Sequence, residues 1–178
     1  MNEFGELIDA TTVRFERLLP GPIERVWSYL VESEKRAKWL CGGDIELRVG
    51  GDVDMHFHIA SLSTAEDIEH PEKYKELPEK MSFGGKVTIC EPFNVLAHTW
   101  EFEDEASEVC YELQAHADRV HLVLTHRKLD TKESVISVSS GWHTHLDILT
   151  DVLEGREPRP FWKTHVTLEA QYEQRLEL

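Results

Sequence analysis

Two segments constrain the fold of this chain more than anything else in it. The first, VRFERLLPGPIERVWSYLVESEKRAKWL, runs from Val13 to Leu40 and joins one short alternating stretch to two short helical patterns. The second, SVISVSSGWHTHLDILTDVLEG, runs from Ser134 to Gly155 and is a single long helical pattern. Between them lies a series of alternating, strand-like stretches. Sequential strands with one apolar side make an antiparallel sheet whose apolar face must be covered, and the long helix is the element available to cover it. The expected fold is therefore α+β: a curved antiparallel sheet wrapped around a long C-terminal helix, with two short helices after the first strand. Such a shape can enclose a cavity between sheet and helix.

The first strand is read over Thr12 to Leu18, with Val13, Phe15 and Arg17 on one side. Pro20-Gly21-Pro22 ends it, and Pro22 suits the first turn of a helix, where its missing N–H costs nothing. Ile23, Val26, Trp27 and Leu30 give that helix one buried face. A second short helix begins at Ser33 and ends near Trp39-Leu40. Asp44–Val49 and Asp52–Ile59 read as a hairpin turned by Gly50-Gly51. Val53, Met55, Phe57 and Ile59 share one face, and Asp52, Asp54, His56 and His58 the other.

Ser61 to Ser82 breaks the alternation. It is rich in Glu, Lys, Pro and Ser and reads as an inserted flap near the mouth of a cavity, with a short helix around Pro71 to Leu77. Strands follow over Gly85–Glu91, Val95–Glu103, Ser107–Ala115 and Val120–Lys128. Leu96, His98, Trp100 and Phe102 share a face of the second of these. Val109, Tyr111 and Leu113 share a face of the next, and Val120, Leu122, Leu124 and His126 a face of the last. The closing helix is expected from Val135 to Leu153, with Val138, Trp142, His145, Leu146, Leu149, Val152 and Leu153 as its apolar stripe. Gly141 suggests the close approach of a strand, and Gly155 ends the helix. Phe161–Leu176 reads as a further helix anchored by Trp162, Val166, Leu168 and Tyr172. The whole of 1–178 is read as one domain, with a core over 12–155, an insertion at 61–82 and a C-terminal extension at 156–178.

Composition bounds the partners. The chain has 178 residues, 40% of them hydrophobic and 30% charged, and a formal net charge of −15. That balance disfavours a general nucleic-acid surface, since a phosphate backbone needs neutralising cations. No basic stretch followed by an apolar one opens the chain, and no apolar run is long enough to span a bilayer. The expected location is the cytoplasm, without membrane insertion. Cys41, Cys90 and Cys110 are odd in number and widely spaced, which fits three reduced thiols. The sequence is as compatible with a homodimer as with a monomer.

Chemistry is sought first among ten histidines. His56 and His58 share a strand face, but no His-Glu-x-x-His or Cys-x-x-Cys pattern supplies further ligands, so no metal and no cofactor are expected. His143 and His145 lie two apart on a helix and point in different directions. The stronger set is His98, Trp100, Tyr111, His126, Trp142 and His145, whose faces turn toward the closing helix. Trp39 and Phe57 join them as cavity edges. An apolar wall with a few polar tips is what a small-molecule pocket requires. An imidazole there can orient a ligand or act as a base. Glu101 and Glu112 fall on outer faces and Asp147 is poorly aligned with His145, so no triad is read and catalytic residues stay unassigned. The acidic run Glu101, Glu103, Asp104, Glu105 and Glu108 reads as a solvated hairpin tip. The Gly-Gly pairs read as turns rather than phosphate loops.

Pro20 to Trp27, the Trp39-Leu40 pair, the Leu124-Thr125-His126 strand end and the Gly141-Trp142 start of the closing helix together resemble the activator-of-heat-shock-protein-90-ATPase homologue family, within the START-like, birch-pollen-allergen-like superfamily. The resemblance covers about residues 12 to 155. It implies a helix-grip fold of six or seven strands. It also implies a cavity for a small, largely apolar molecule, an enzyme acting on such a molecule as a cyclase or hydrolase does, or contact with a chaperone. The chain shows no appended second domain like that of the eukaryotic activator, which argues against direct chaperone activation.

Overall fold

The computed structural model describes residues 3–102 and 105–175. Seven antiparallel strands form one sheet: β1 (Glu6–Asp9), β2 (Thr12–Pro20), β3 (Asp52–His58), β4 (Lys80–Glu91), β5 (Val95–Phe102), β6 (Glu105–His116) and β7 (Arg119–Arg127). Their order across the sheet is β1-β2-β7-β6-β5-β4-β3. Helices α1 (Ile23–Val31) and α2 (Ser33–Arg36) follow β2, and α3 (Lys132–Leu153) and α4 (Phe161–Arg175) end the chain. The curved sheet and the long helix α3 are the helix-grip arrangement.

The alternation read from sequence sets the inward face. Val13, Phe15, Arg17 and Leu19 of β2 are buried, as are Val109, Tyr111 and Leu113 of β6 and Val120, Leu122, Leu124 and His126 of β7. Register brings these positions together, with Phe15 opposite Leu124 and Leu124 opposite Tyr111. Helix α3 lies over them through Val135, Trp142, Leu146, Ile148, Leu149 and Leu153. It begins three residues before Val135, because the Thr131 hydroxyl accepts from the Ser134 N–H and the Ser134 hydroxyl from the Thr131 N–H. It ends at Gly155, whose φ is +71°.

Several expectations are corrected. Pro22 is the extended residue preceding α1, one position before its first turn. Asp44–Val49 is not a continuous strand, and its antiparallel pairing with β3 is reduced to isolated bridges. Gly50 N–H donates to the Val87 carbonyl and Val87 N–H to the Gly51 carbonyl, so the glycine pair docks on β4. The preceding segment pairs with β3 at the isolated bridges Gly42–His56 and Ile45–Val53, and the Glu46 carboxylate accepts from the Asp52 N–H. Arg36 explains its path. This buried guanidinium donates to the carbonyls of Leu30, Val31, Gly42, Gly43 and Asp54 and ties α2, the 42–43 segment and β3 to one point. β4 starts at Lys80, inside the expected insertion, because Met81 and Phe83 alternate onto the inward face opposite Phe57 and Met55.

β1 was not foreseen. In α4, Val166 is exposed at 37% and anchors nothing. Phe161, His165, Leu168, Glu169 and Tyr172 are its buried residues. Glu103, Asp104, Leu176 and the side chains of Phe102 and Glu105 lie outside the described residues. Among the described residues no helix is long and apolar enough to cross a membrane.

Candidate ligand-binding site

Three walls meet around a cavity of about 270 Å³. The sheet supplies Phe57, Met81, Phe83, Trp100 and His126. Helix α3 supplies Val138, Gly141, Trp142 and His145. The third wall comes from the insertion, through Tyr74 and Leu77, and from α4, through Phe161, Trp162 and His165. The aromatic rings interlock: Phe57 stacks on Phe83 at 5.2 Å, Phe83 meets Trp100 at 5.2 Å, and Trp100 meets Trp142 edge-on at 5.4 Å.

Of the eight residues singled out from sequence, Phe57, Trp100, His126, Trp142 and His145 line this cavity, and Trp39, His98 and Tyr111 do not. Trp39 is wholly buried. Its indole N–H donates to the Tyr29 carbonyl at 2.8 Å, and its own carbonyl holds His145 at 2.7 Å. It therefore positions a cavity residue from behind. His98 donates from Nδ1 to the Thr99 carbonyl at 2.9 Å, and its ring packs between Trp100 and Tyr111. Gly141 also departs from expectation. A Cβ built there meets nothing within 4 Å, so no strand abuts it, and the glycine opens the helix surface to the cavity.

The histidine tautomers follow from their partners. An indole N–H only donates, so Trp142 Nε1–H at 2.8 Å fixes His126 Nδ1 as an acceptor. The proton then sits on His126 Nε2 and is donated to Ser107 Oγ at 2.7 Å. Both nitrogens are used, which leaves His126 no free group to offer. A carbonyl only accepts, so His145 Nδ1–H donates to Trp39 O. Burial pushes His126 down to about 3 and His145 down to about 4, with the Trp39 carbonyl opposing the second shift. Both rings are neutral at pH 7.

The third wall is held by polar contacts that hydrophobic patterning does not reveal. The Asp67 carboxylate accepts from the N–H groups of Trp162 and Lys163 at 2.7 and 2.9 Å, capping α4. Glu169, 7% exposed, accepts from Lys73 Nζ at 2.6 Å and from the Tyr74 hydroxyl at 2.5 Å. Burial raises the Glu169 carboxyl, but these two donors outweigh it and hold it below the ordinary carboxylate range. Ser63 donates to the Pro158 carbonyl, and His70 packs edge-on against Trp162. The insertion and α4 thus form one cap over the cavity mouth.

Elsewhere, His143 turns away from His145, as expected. Its Nδ1 meets the Tyr172 hydroxyl at 3.0 Å and its Nε2 lies 3.7 Å from Asp147. Asp147 is engaged by Arg159 at 2.7 Å and Arg17 at 3.4 Å, not by His145. His56 contacts Ser82 and His58 contacts Glu79. Among the described residues no three His, Cys, Asp or Glu side chains come together as a metal would need.

Residues 20–154 match the family described as activator of Hsp90 ATPase homolog 1-like protein, well over half of the chain. The chain belongs to that family. Its fold is shared along nearly the whole length with a Bordetella parapertussis protein solved by NMR, which is 41% identical, with 97% of this chain and 90% of that one covered and a TM-score of 0.81. A conserved Enterococcus faecalis protein of unknown function is 19% identical over 97% of this chain and 88% of its own, with a TM-score of 0.69. CalU16 from Micromonospora echinospora is 18% identical over 92% and 86%, with a TM-score of 0.64. These two show the fold alone. Among curated proteins none matches. Fold and family together support a START-like ligand-binding role in general.

Proposed function

We propose that the protein binds a small, largely apolar molecule in the cavity between the sheet, α3 and the cap. The observation that carries this reading is the aromatic box itself. Phe57, Phe83, Trp100, Trp142 and Phe161 surround a space of about 270 Å³. That is close to the lower end of ligand pockets, which run from roughly 300 to 1,000 Å³. Binding energy comes from burying ligand carbon against these rings. The 61–79 side of the cap is the wall that moves when a ligand enters, because it is fastened to α4 by a handful of side-chain contacts rather than by sheet pairing.

The test is native mass spectrometry of the full chain purified from its own host, followed by solvent extraction of whatever is bound. A one-to-one adduct that dissociates into an apolar small molecule is the expected result. A protein that is empty as isolated, and stays empty after exposure to a broad lipid and metabolite extract, overturns the reading.

A further inference from the structure

The cavity is apolar in its walls but not featureless, and its polar atoms are unequal. His126 has both nitrogens committed, to Trp142 and Ser107. His165 faces Tyr74 Oη with Nε2 at 3.2 Å. Because the Tyr74 O–H goes to Glu169, the imidazole must be the donor in that contact. With the proton on Nε2, His165 Nδ1 is a bare acceptor, but it is fully buried and closes no hydrogen bond among the described residues, so a ligand in the cavity does not reach it. His145 differs from both. Its Nδ1–H is spent on the Trp39 carbonyl, so its Nε2 carries a lone pair, and among the described residues nothing bonds to that atom. The ring is 7% exposed and lines the cavity beside Phe57 and Phe161. Trp100 and Trp162, whose indole N–H groups make no hydrogen bond among the described residues, are half-buried rings. The fully buried end of the site therefore presents an acceptor.

Charge narrows the choice further. None of the described residues lining the cavity is a lysine or an arginine. Lys73 of the cap, next to the lining residue Tyr74, is held by Glu169. A carboxylate or phosphate brought into this space would lose its hydration and meet no counter-charge. A neutral O–H group would lose little, because the imidazole replaces the water it leaves.

We propose that the cavity selects a neutral ring compound of one or two rings carrying a hydroxyl group, which donates to His145 Nε2. This rests on the reading of the cavity as a ligand site. The ring fills the aromatic box, the hydroxyl sets its orientation, and anionic relatives of the same shape are turned away. Trp39 is then a positioning residue, since its carbonyl fixes the tautomer that makes His145 an acceptor.

Four probes of one shape separate the possibilities: 2-naphthol, 2-methoxynaphthalene, naphthalene and 2-naphthoate, each titrated at pH 7 into the full chain by isothermal calorimetry. The expected order places 2-naphthol about tenfold tighter than its methyl ether, the effect of one satisfied hydrogen bond, with 2-naphthoate weakest. The substitution His145→Phe keeps a ring in the wall and removes the acceptor, at the loss of the bond to the Trp39 carbonyl. In that variant the preference for naphthol over its ether should vanish while both still bind. A second readout is the ¹⁵N shift of His145 Nε2, which should move with naphthol and not with the ether. Equal binding of the neutral probes, or tightest binding of naphthoate, overturns the hydroxyl preference and leaves the binding reading standing. Failure of all four to bind overturns both.

Discussion

The sheet wall and the cap face the same cavity but are built by different means. Trp100, His126 and Trp142 sit on elements fixed by continuous backbone pairing and by the core beneath them. His126 is locked between Trp142 and Ser107, and Trp142 is only 4% exposed. Tyr74, Leu77 and Trp162 sit on an irregular segment and the first turn of α4, fastened by Asp67, Glu169 and Lys73. The first wall carries the stability of the fold. The second closes the cavity and is held by these side-chain bonds and by the buried face of α4, with no backbone pairing to the sheet among the described residues. Elements that must move are drawn from the weakly held part of a structure.

Acid gives the largest test of that division. His98 and His145 are pushed down to about 4 and His126 to about 3, chiefly by burial. Below the ordinary imidazole value of 6.5 the unfolded chain binds protons that the folded one refuses, so stability falls as pH drops from 6.5 toward 4. At pH 5 each such ring withdraws up to ~2 kcal/mol relative to pH 7. The denaturant midpoint should therefore fall steeply between pH 7 and 5, with the β5–β7 amides losing protection together. The cap holds one such ring, His165, also lowered first by burial. A flat pH profile over this range would mean that these histidines are not held neutral in the fold.

Substitution draws the same line more locally. Trp142→Ala removes a buried ring from the α3–sheet interface and leaves His126 Nδ1 unbonded, at a cost of about 3–5 kcal/mol. Trp142→Phe keeps most of the packing and isolates the lost hydrogen bond, about 1–3 kcal/mol. Asp67→Ala uncaps α4 and should cost only ~1 kcal/mol. Its signature is where the loss appears. Amide exchange should quicken across 161–167 while the urea midpoint of the sheet stays nearly fixed. Equal effects of Trp142→Ala and Asp67→Ala on the global midpoint would make core and cap one cooperative unit and break the comparison.

The two walls also differ in how much of them can be read from sequence, for the same physical reason. The inward faces of the strands follow from period-two alternation, which brings Phe57, Trp100 and His126, and the helical spacing of α3 brings Trp142 and His145. Both patterns record burial, so they find Phe57 and His145 but cannot separate a residue that lines a space from one packed behind it, as with Trp39, His98 and Tyr111. The cap leaves no such trace. Its folding depends on Asp67 meeting two N–H groups 95 and 96 residues away, and on Tyr74 and Lys73 converging on Glu169. Residues that far apart carry no periodic signal. Arg36 is missed likewise, because its five carbonyl partners come from backbone that any sequence provides. The Thr131–Ser134 cap was the one legible signal passed over. It departs from the usual Ser/Thr-x-x-Glu form by placing serine where glutamate is common.

Gly141 gives the smallest expected effect and the sharpest one, because it separates stability from binding by sign. In the middle of a helix, glycine costs about 0.5–1 kcal/mol relative to alanine. Nothing within 4 Å would resist a methyl group there, so Gly141→Ala should stabilise the fold by that amount. The same methyl group projects into the cavity between Trp142 and Val138, where the proposed ligand would lie. A naphthol titration should therefore weaken as the melting temperature rises. If Gly141 served only the packing of α3, the variant would gain stability and keep its affinity. If stability fell, some contact at this position would be closer than the backbone geometry indicates. Opposite signs in the two measurements would mark Gly141 as an opening kept for a ligand at the expense of the helix that carries it.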